Sequence, residues 1–463
     1  MKPRHLALTA LGFAFPLVAG CSGNGADATE TPAPPALPAL TGLPDESADP
    51  GVLEVSMRAK TSTKKYPGAK PSEVWTYEGS VPGPLLEAKA GDKLVVHFQN
   101  DLPEATTIHW HGVRVPATMD GTHLMQAPVE PGQGFEYSFA LKDAGLFWFH
   151  PHMRSDVQVE KGLYGAILVR GAGEPSVDHE TVLVLDDVRV NADGTFPELL
   201  DDESKMMGRQ GNVLLLNGVS GPEIPMQSGA LERLRLVNVA NGRFFNLRLE
   251  GHTFHVIGTD GGLIGQPWDT ETLLMAPGER YDVVLIPNGE PGATLTLWND
   301  PYSRGHDSAA AAPEALATVR LGADAALPGR TLPSAFPEVE KLPTAAADIP
   351  VLLGEKLDAK GEVVFTINGQ AYPDVPPVLA ANGSIRTMGV KNESDMDHPF
   401  HLHGFFFQRQ GDTGTLKNKD TIIVKAHESM DLTARFDEPG KWMYHCHILE
   451  HAEGGMLGEL DVQ

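Results

Sequence analysis

The chain has 463 residues, 41% of them apolar, with 49 glycines and a formal net charge of −25. That length exceeds one ordinary core and calls for two to four domains, and the composition is that of a folded globular protein. So acidic a chain repels phosphate backbones, which argues against nucleic acid as a partner and leaves small neutral or cationic ones.

Lys2 and Arg4 make a short basic start, and Leu6 to Ala19 is apolar but too short to span a bilayer. Leu17-Val18-Ala19-Gly20-Cys21 resembles a bacterial lipobox, whose cysteine becomes the lipidated first residue after cleavage. Residues 1–21 are therefore expected to be a signal peptide. Residues 22–50, rich in Ala, Pro, Gly and Thr, are expected to be a disordered tether. The expected location is the periplasm or cell envelope of a bacterium, with the membrane reached only through the lipid anchor. No Arg-Arg pair supports twin-arginine export. Nothing in the sequence sets an oligomeric state.

From Val52 onward, short alternating or apolar runs are punctuated by Gly, Pro, Asn and Asp. Leu94-Val95-Val96-His97-Phe98, Gly165-Ala166-Ile167-Leu168-Val169 and Val363-Val364-Phe365-Thr366-Ile367 are typical. This pattern predicts all-β sandwiches. Ala309 to Ala317 is the one stretch expected as a short helix or loop.

An internal repeat runs through these strands. The first copy holds Thr107-Ile108-His109-Trp110-His111-Gly112, then Glu130-Pro131-Gly132, then Phe147-Trp148-Phe149-His150-Pro151-His152. The last holds Asp397-His398-Pro399-Phe400-His401-Leu402-His403-Gly404, then Glu438-Pro439-Gly440, then Met443-Tyr444-His445-Cys446-His447. The middle copy holds Gly251-His252-Thr253-Phe254-His255-Val256 and Ala276-Pro277-Gly278-Glu279-Arg280, with no His-x-His pair. Three copies of one sandwich account for the length, with expected domains at 51–172, 173–341 and 342–463.

The four pairs His109/His111, His150/His152, His401/His403 and His445/His447 each place two imidazoles on one face of a strand. Eight such ligands suit a cluster of several metal ions. Four come from the first repeat and four from the last, so those two repeats must meet. Cys446 points to the opposite face from its neighbours. The only other cysteine is Cys21, so Cys446 has no partner for a structural disulfide. With His451 five residues on, Met456 ten residues on and a second histidine from elsewhere in the chain, for which His398 is the choice, it completes the two-His, one-Cys, long-Met set of a copper electron-transfer site. His252 and His255 are expected to be ordinary histidines.

With these motifs the chain resembles the three-domain multicopper oxidases of the laccase type. HWHG at 109–112, FHPH at 149–152, HPFHLHG at 398–404 and HCHILEHAEGGM at 445–456 carry the resemblance. It implies three consecutive cupredoxin-like Greek-key domains and four copper ions. The type 1 copper would be held by His398, Cys446, His451 and Met456, and the type 2 copper by His109 and His401. His111, His150, His152, His403, His445 and His447 would hold the type 3 pair. The implied reaction passes four single electrons to dioxygen, making two waters. Donors would be phenols or other small aromatic molecules or, in the alternative, cuprous ion in copper tolerance. A copper-storage descendant is disfavoured because no cluster ligand is missing. Asp120 sits where related oxidases carry an acid beside the type 2 copper, and it is the expected proton relay, with Glu453 the next candidate. One departure stands out: many bacterial relatives carry an acid directly after the type 1 histidine, and here that residue is Ala452. Met206, Met207, Met125 and Met396 are read either as packing residues or as a soft lining for cuprous ion. Asp395 and Asp397, flanking Met396, are read as a cation or phenol contact or as a solvated turn.

Overall fold

The computed structural model describes residues 33–197, 201–306, 312–412 and 417–463. Residues 34–463 form one compact unit. The signal segment and Cys21 lie outside the described residues.

Alternation writes the strands. In Val52–Lys65, Val55, Met57 and Ala59 are buried while Ser56 and Arg58 between them are exposed, which is the period of a half-buried strand. Among the described residues six sheets form, two per sandwich, and one plan recurs three times. In each sandwich the first strand pairs parallel with a later one: Val52–Lys65 with Lys93–Asp101, His179–Val188 with Glu232–Asn238, and Ile349–Leu357 with Ser384–Asn392. The second sheets recur too. In the first domain, His109–His111 pairs with Gly145–His150, setting His109 opposite His150. In the third, His398–Leu402 pairs with Gly440–Cys446, setting His401 opposite His445. The middle strand in that place, Phe245–Leu249, sets Arg248 opposite Trp298 and brings no histidine to the ladder.

One cluster of buried apolar side chains runs through the first and third sandwiches, including Trp110, Phe149, Phe400 and Tyr444. The middle sandwich has its own core, and a further cluster joins it to the first through Trp148, Tyr164, Val184 and Val237.

Two expectations are corrected. The described end of the expected tether lies along the body. Leu37 donates to Glu223 O at 3.0 Å, Thr41 O accepts from Leu85 N at 3.0 Å, and Leu37, Leu40 and Leu43 each pack on a different core cluster. Three leucines at three-residue spacing bury enough surface to fix a segment that its Pro-rich composition marked as coil, and each proline lowers the entropy lost on ordering. The alanine-rich stretch also contains a strand, Glu314–Leu321, paired with Thr294–Asn299. Cross-strand packing there outweighs alanine's helical preference.

Candidate metal centre

His398, Cys446 and His451 converge at the base of the third sandwich. The two histidine Nδ1 atoms lie 3.3 Å apart, and each is 3.5–3.6 Å from Cys446 Sγ. All three side chains are fully buried. Nitrogen and sulfur ligands about 2.0–2.3 Å from a common ion in a plane lie about 3.5–4.0 Å from one another, so this triangle is close to metal-sized. Outward bonds fix the rings. His451 donates Nε2–H to Met206 O at 2.9 Å, and His398 Nε2 lies 2.8 Å from Ser394 Oγ, whose own proton goes to Asn392 Oδ1 or Met396 O. Both Nδ1 atoms therefore present bare lone pairs to the thiol. Ile448 N donates to Cys446 Sγ at 3.4 Å. Without a metal, burial pushes the Cys446 thiol well up and His398 down to about 3. A bound cation would deprotonate the thiol outright. Met456 is fully buried, and its carbonyl accepts from Cys446 N at 3.1 Å, which places it beside the trio.

The eight paired histidines meet between the first and third domains, and all are buried. His109 stacks on His403 and His111 on His401, each with centroids 3.9 Å apart. Their Nδ1–H groups mostly point outward. His150 donates to Pro151 O at 2.9 Å, His401 to Asp420 O at 2.9 Å, His445 to Cys446 O at 2.8 Å, and His403 to Asp120 Oδ2 at 2.9 Å. Their Nε2 atoms then face one another as bare acceptors. His403 Nε2 is 3.0 Å from His445 Nε2, and His152 Nε2 is 3.5 Å from the latter. Nitrogen lone pairs so close repel unless a cation lies among them. Further buried nitrogens without any partner point the same way: His109 Nε2, His111 Nδ1, His150 Nε2, His401 Nε2 and both nitrogens of His447. Burial, and then the neighbouring imidazoles, hold His150, His152, His403 and His447 well below the ordinary histidine range and His445 down to about 3. Neutral imidazole is the form that ligates a transition metal. The donor set fits copper: imidazole throughout the cluster, and thiolate with imidazole in the mononuclear pocket.

Asp120 is fully buried against this cluster. Beyond its bond to His403, its Oδ1 lies 3.2 Å from His109 Nδ1, which donates to Asp120's own carbonyl at 2.9 Å. Gly121, at φ +78°, makes this turn possible, because a Cβ there would meet Ile108 O at 1.9 Å. Glu453 is elsewhere. It is exposed at the end of the helix Leu449–Glu453 and accepts from Ser155 N and Oγ, each at 2.8 Å, joining two helices. Asp397 accepts from Tyr302 Oη at 2.6 Å and from Ala426 N, and is buried, while Asp395 is exposed beside His427. His252 and His255 are satisfied by neighbours in the middle domain, as expected. Sequence reading missed Ser394, the Met206 carbonyl, Asp420 and Arg280. Asp420 contacts both His111 and His401, yet its Asp-Thr dipeptide before an apolar run reads as an ordinary strand start.

Sequence profiles of multicopper oxidases match residues 58–174, 172–320 and 347–463. A multicopper oxidase of Mycobacterium tuberculosis, MmcO, is 31% identical over 83% of this chain and 82% of its own. Among solved structures, a Campylobacter jejuni multicopper oxidase described as a metallo-oxidase superposes with a TM-score of 0.83 at 29% identity, covering 94% of this chain and 97% of that one. The laccase-like CueO of an Ochrobactrum species, described as an oxidase of lignin model compounds and lignosulfonate, gives 0.78 at 26% identity, covering 92% and 100%.

Proposed function

Because the chain belongs to the multicopper oxidase family, an oxidoreductase family with dioxygen as acceptor, we propose that it holds four copper ions in two centres and couples one-electron oxidation of a small donor to the reduction of dioxygen to water. The observation that carries this is the set of buried imidazoles whose outward N–H bonds leave bare nitrogens facing one another. His398, Cys446, His451 and Met456 would hold the type 1 ion. His109 and His401 would hold the type 2 ion, and His111, His150, His152, His403, His445 and His447 the type 3 pair. When bound, copper supplies the one-electron redox chemistry and the reduction of dioxygen. The protein supplies the rest. Cys446 shares its backbone with His445 and His447, a short covalent path between the two centres. The surrounding core excludes water. Asp120, whose contacts with His403 and His109 support the role, hands protons to the cluster.

Phenols and other aromatic donors suit the family likeness. One observation favours the second donor, cuprous ion. His451 is fully buried, its edge bonded to the Met206 carbonyl and its face stacked on Phe365 with centroids 3.8 Å apart. A flat phenol reaches that ring only if the helix Asp202–Met207 moves, whereas a bare ion needs only a soft path past Met206 or Met396. Oxygen uptake by the copper-loaded protein, assayed with a phenol and with cuprous ion, separates the two; uptake with neither removes the oxidase reading. The domain limits 51–172, 173–341 and 342–463 and an envelope location with a lipid on Cys21 complete the proposal. The last rests on the lipobox-like run and is tested by the mass of the mature amino terminus.

A further inference from the structure

The ligand-free middle domain touches the cluster. Its turn Ala276-Pro277-Gly278-Glu279-Arg280 is the counterpart of the Glu-Pro-Gly turns in the other two copies. Gly278, at φ +87°, lies so close that a Cβ there would stand 3.0 Å from both the His111 and the His447 rings. Two residues on, the buried Arg280 spends its donors across all three domains. It bonds Leu146 O of the first at 3.2 Å, Gly278 O and Asp260 O of the second at 3.1 and 3.0 Å, and both carboxylate oxygens of Asp420 in the third at 2.6 and 2.5 Å. A planar fork suits this task and an ammonium does not.

Asp420 faces the cluster from the other side. Its Oδ1 lies 3.1 Å from His111 Nε2, and its carbonyl accepts His401 Nδ1–H at 2.9 Å. Thr421 Oγ1 stands 3.1 Å from each of those two ring nitrogens and donates to Asp420 Oδ1 at 2.9 Å. His111 is thereby set apart. His109, His150, His401, His403 and His445 bond outward through Nδ1 and turn Nε2 inward, whereas His111 bonds outward through Nε2 and turns a partnerless Nδ1 inward. The two imidazoles of the strand His109–His111 thus turn opposite nitrogens inward.

We propose that Arg280 and Asp420 are positioning residues of the oxygen-reducing cluster: Arg280 of the middle domain locks the Asp420 carboxylate, and Asp420 locks the His111 ring with Nδ1 turned to the metal. The middle sandwich is then a working part of the centre and not a spacer. This rests on the reading that His111 and His401 ligate copper.

The test is the double variant Arg280→Met/Asp420→Leu, which removes both charges together and strands neither. It is compared with wild type for copper retention against graded chelator, for the blue thiolate band and for the type 2 paramagnetic signal. The blue band should persist at wild-type intensity, reporting a folded third domain, while affinity for the cluster ions falls by about 10–100-fold. Asp420→Asn, which keeps an acceptor oxygen, should restore part of that loss. A double variant that keeps its blue band and holds cluster copper as tightly as wild type, with an unchanged paramagnetic signal, makes the ion pair a mere interdomain tie and overturns the proposal. Should the variants not fold, the imidazole nitrogen spectrum of the reduced, diamagnetic wild-type holoprotein decides. A His111 proton on Nε2 supports the assignment, and one on Nδ1 overturns it. A wild type that takes copper only at Cys446 removes the parent reading as well; a wild type that loads fully alongside a fully loaded double variant removes only this one.

Discussion

The two centres use the same ligand chemistry and are built in opposite ways. The mononuclear pocket draws His398, Cys446 and His451 from two adjacent strands and the helix that follows them, all in one sandwich. The cluster draws four histidines from each of the first and third domains and is braced by an arginine from the middle one. A local pocket persists as long as its own domain is folded. An interface centre also needs the domains docked in register, so a change far from any ligand can empty it. The two centres should therefore fail separately.

The most drastic way to separate them is Cys446→Ser. With the thiolate gone, oxygen uptake with any donor should fall to background and the blue band should vanish, while the cluster keeps its copper. Loss of the cluster copper as well would show that the two centres assemble as one. Asp120→Asn acts on the other side. The blue band should be untouched, and turnover of dioxygen should drop by about 10²–10⁴-fold, measured by oxygen uptake at fixed donor. Unchanged turnover would take Asp120 out of proton supply.

Smaller changes sharpen the contrast. Ser394→Ala removes the hydroxyl on His398 Nε2. The type 1 ion should be held about tenfold more weakly in chelator competition, with the cluster ions unaffected. Met456→Leu should have the mildest effect, a rise in type 1 potential seen by redox titration without loss of copper. A potential that does not move would leave Met456 a packing residue.

Much of this was legible before any coordinates. The four His-x-His pairs, the lone Cys446 and the two-residue alternation announce both centres and the β class, because ligands on a strand repeat every second residue. The supports were not legible. Asp420 and Arg280 act through contacts 309 and 140 residues from the side chains they hold, and no local pattern marks a residue whose partner lies in another domain. Ser394 lies only 4 residues from His398, but a serine in a polar turn before a strand reads as an ordinary turn residue. The Met206 carbonyl is a backbone group and leaves no mark at all. Leu37, Leu40 and Leu43 were in plain view, but Pro-rich composition hid their spacing. The alanine-rich run near Glu314 misled for the opposite reason, since its strand is set by Thr294–Asn299 across the sheet.

The central claim is that the first and third domains together enclose several copper ions at their junction. Anomalous scattering at the copper edge from crystals of the fully loaded protein tests it most directly. The expected map has about four peaks per chain, one among His398, Cys446 and His451 and the others among the eight imidazoles. A map with density at Cys446 and none between the two domains would contradict it.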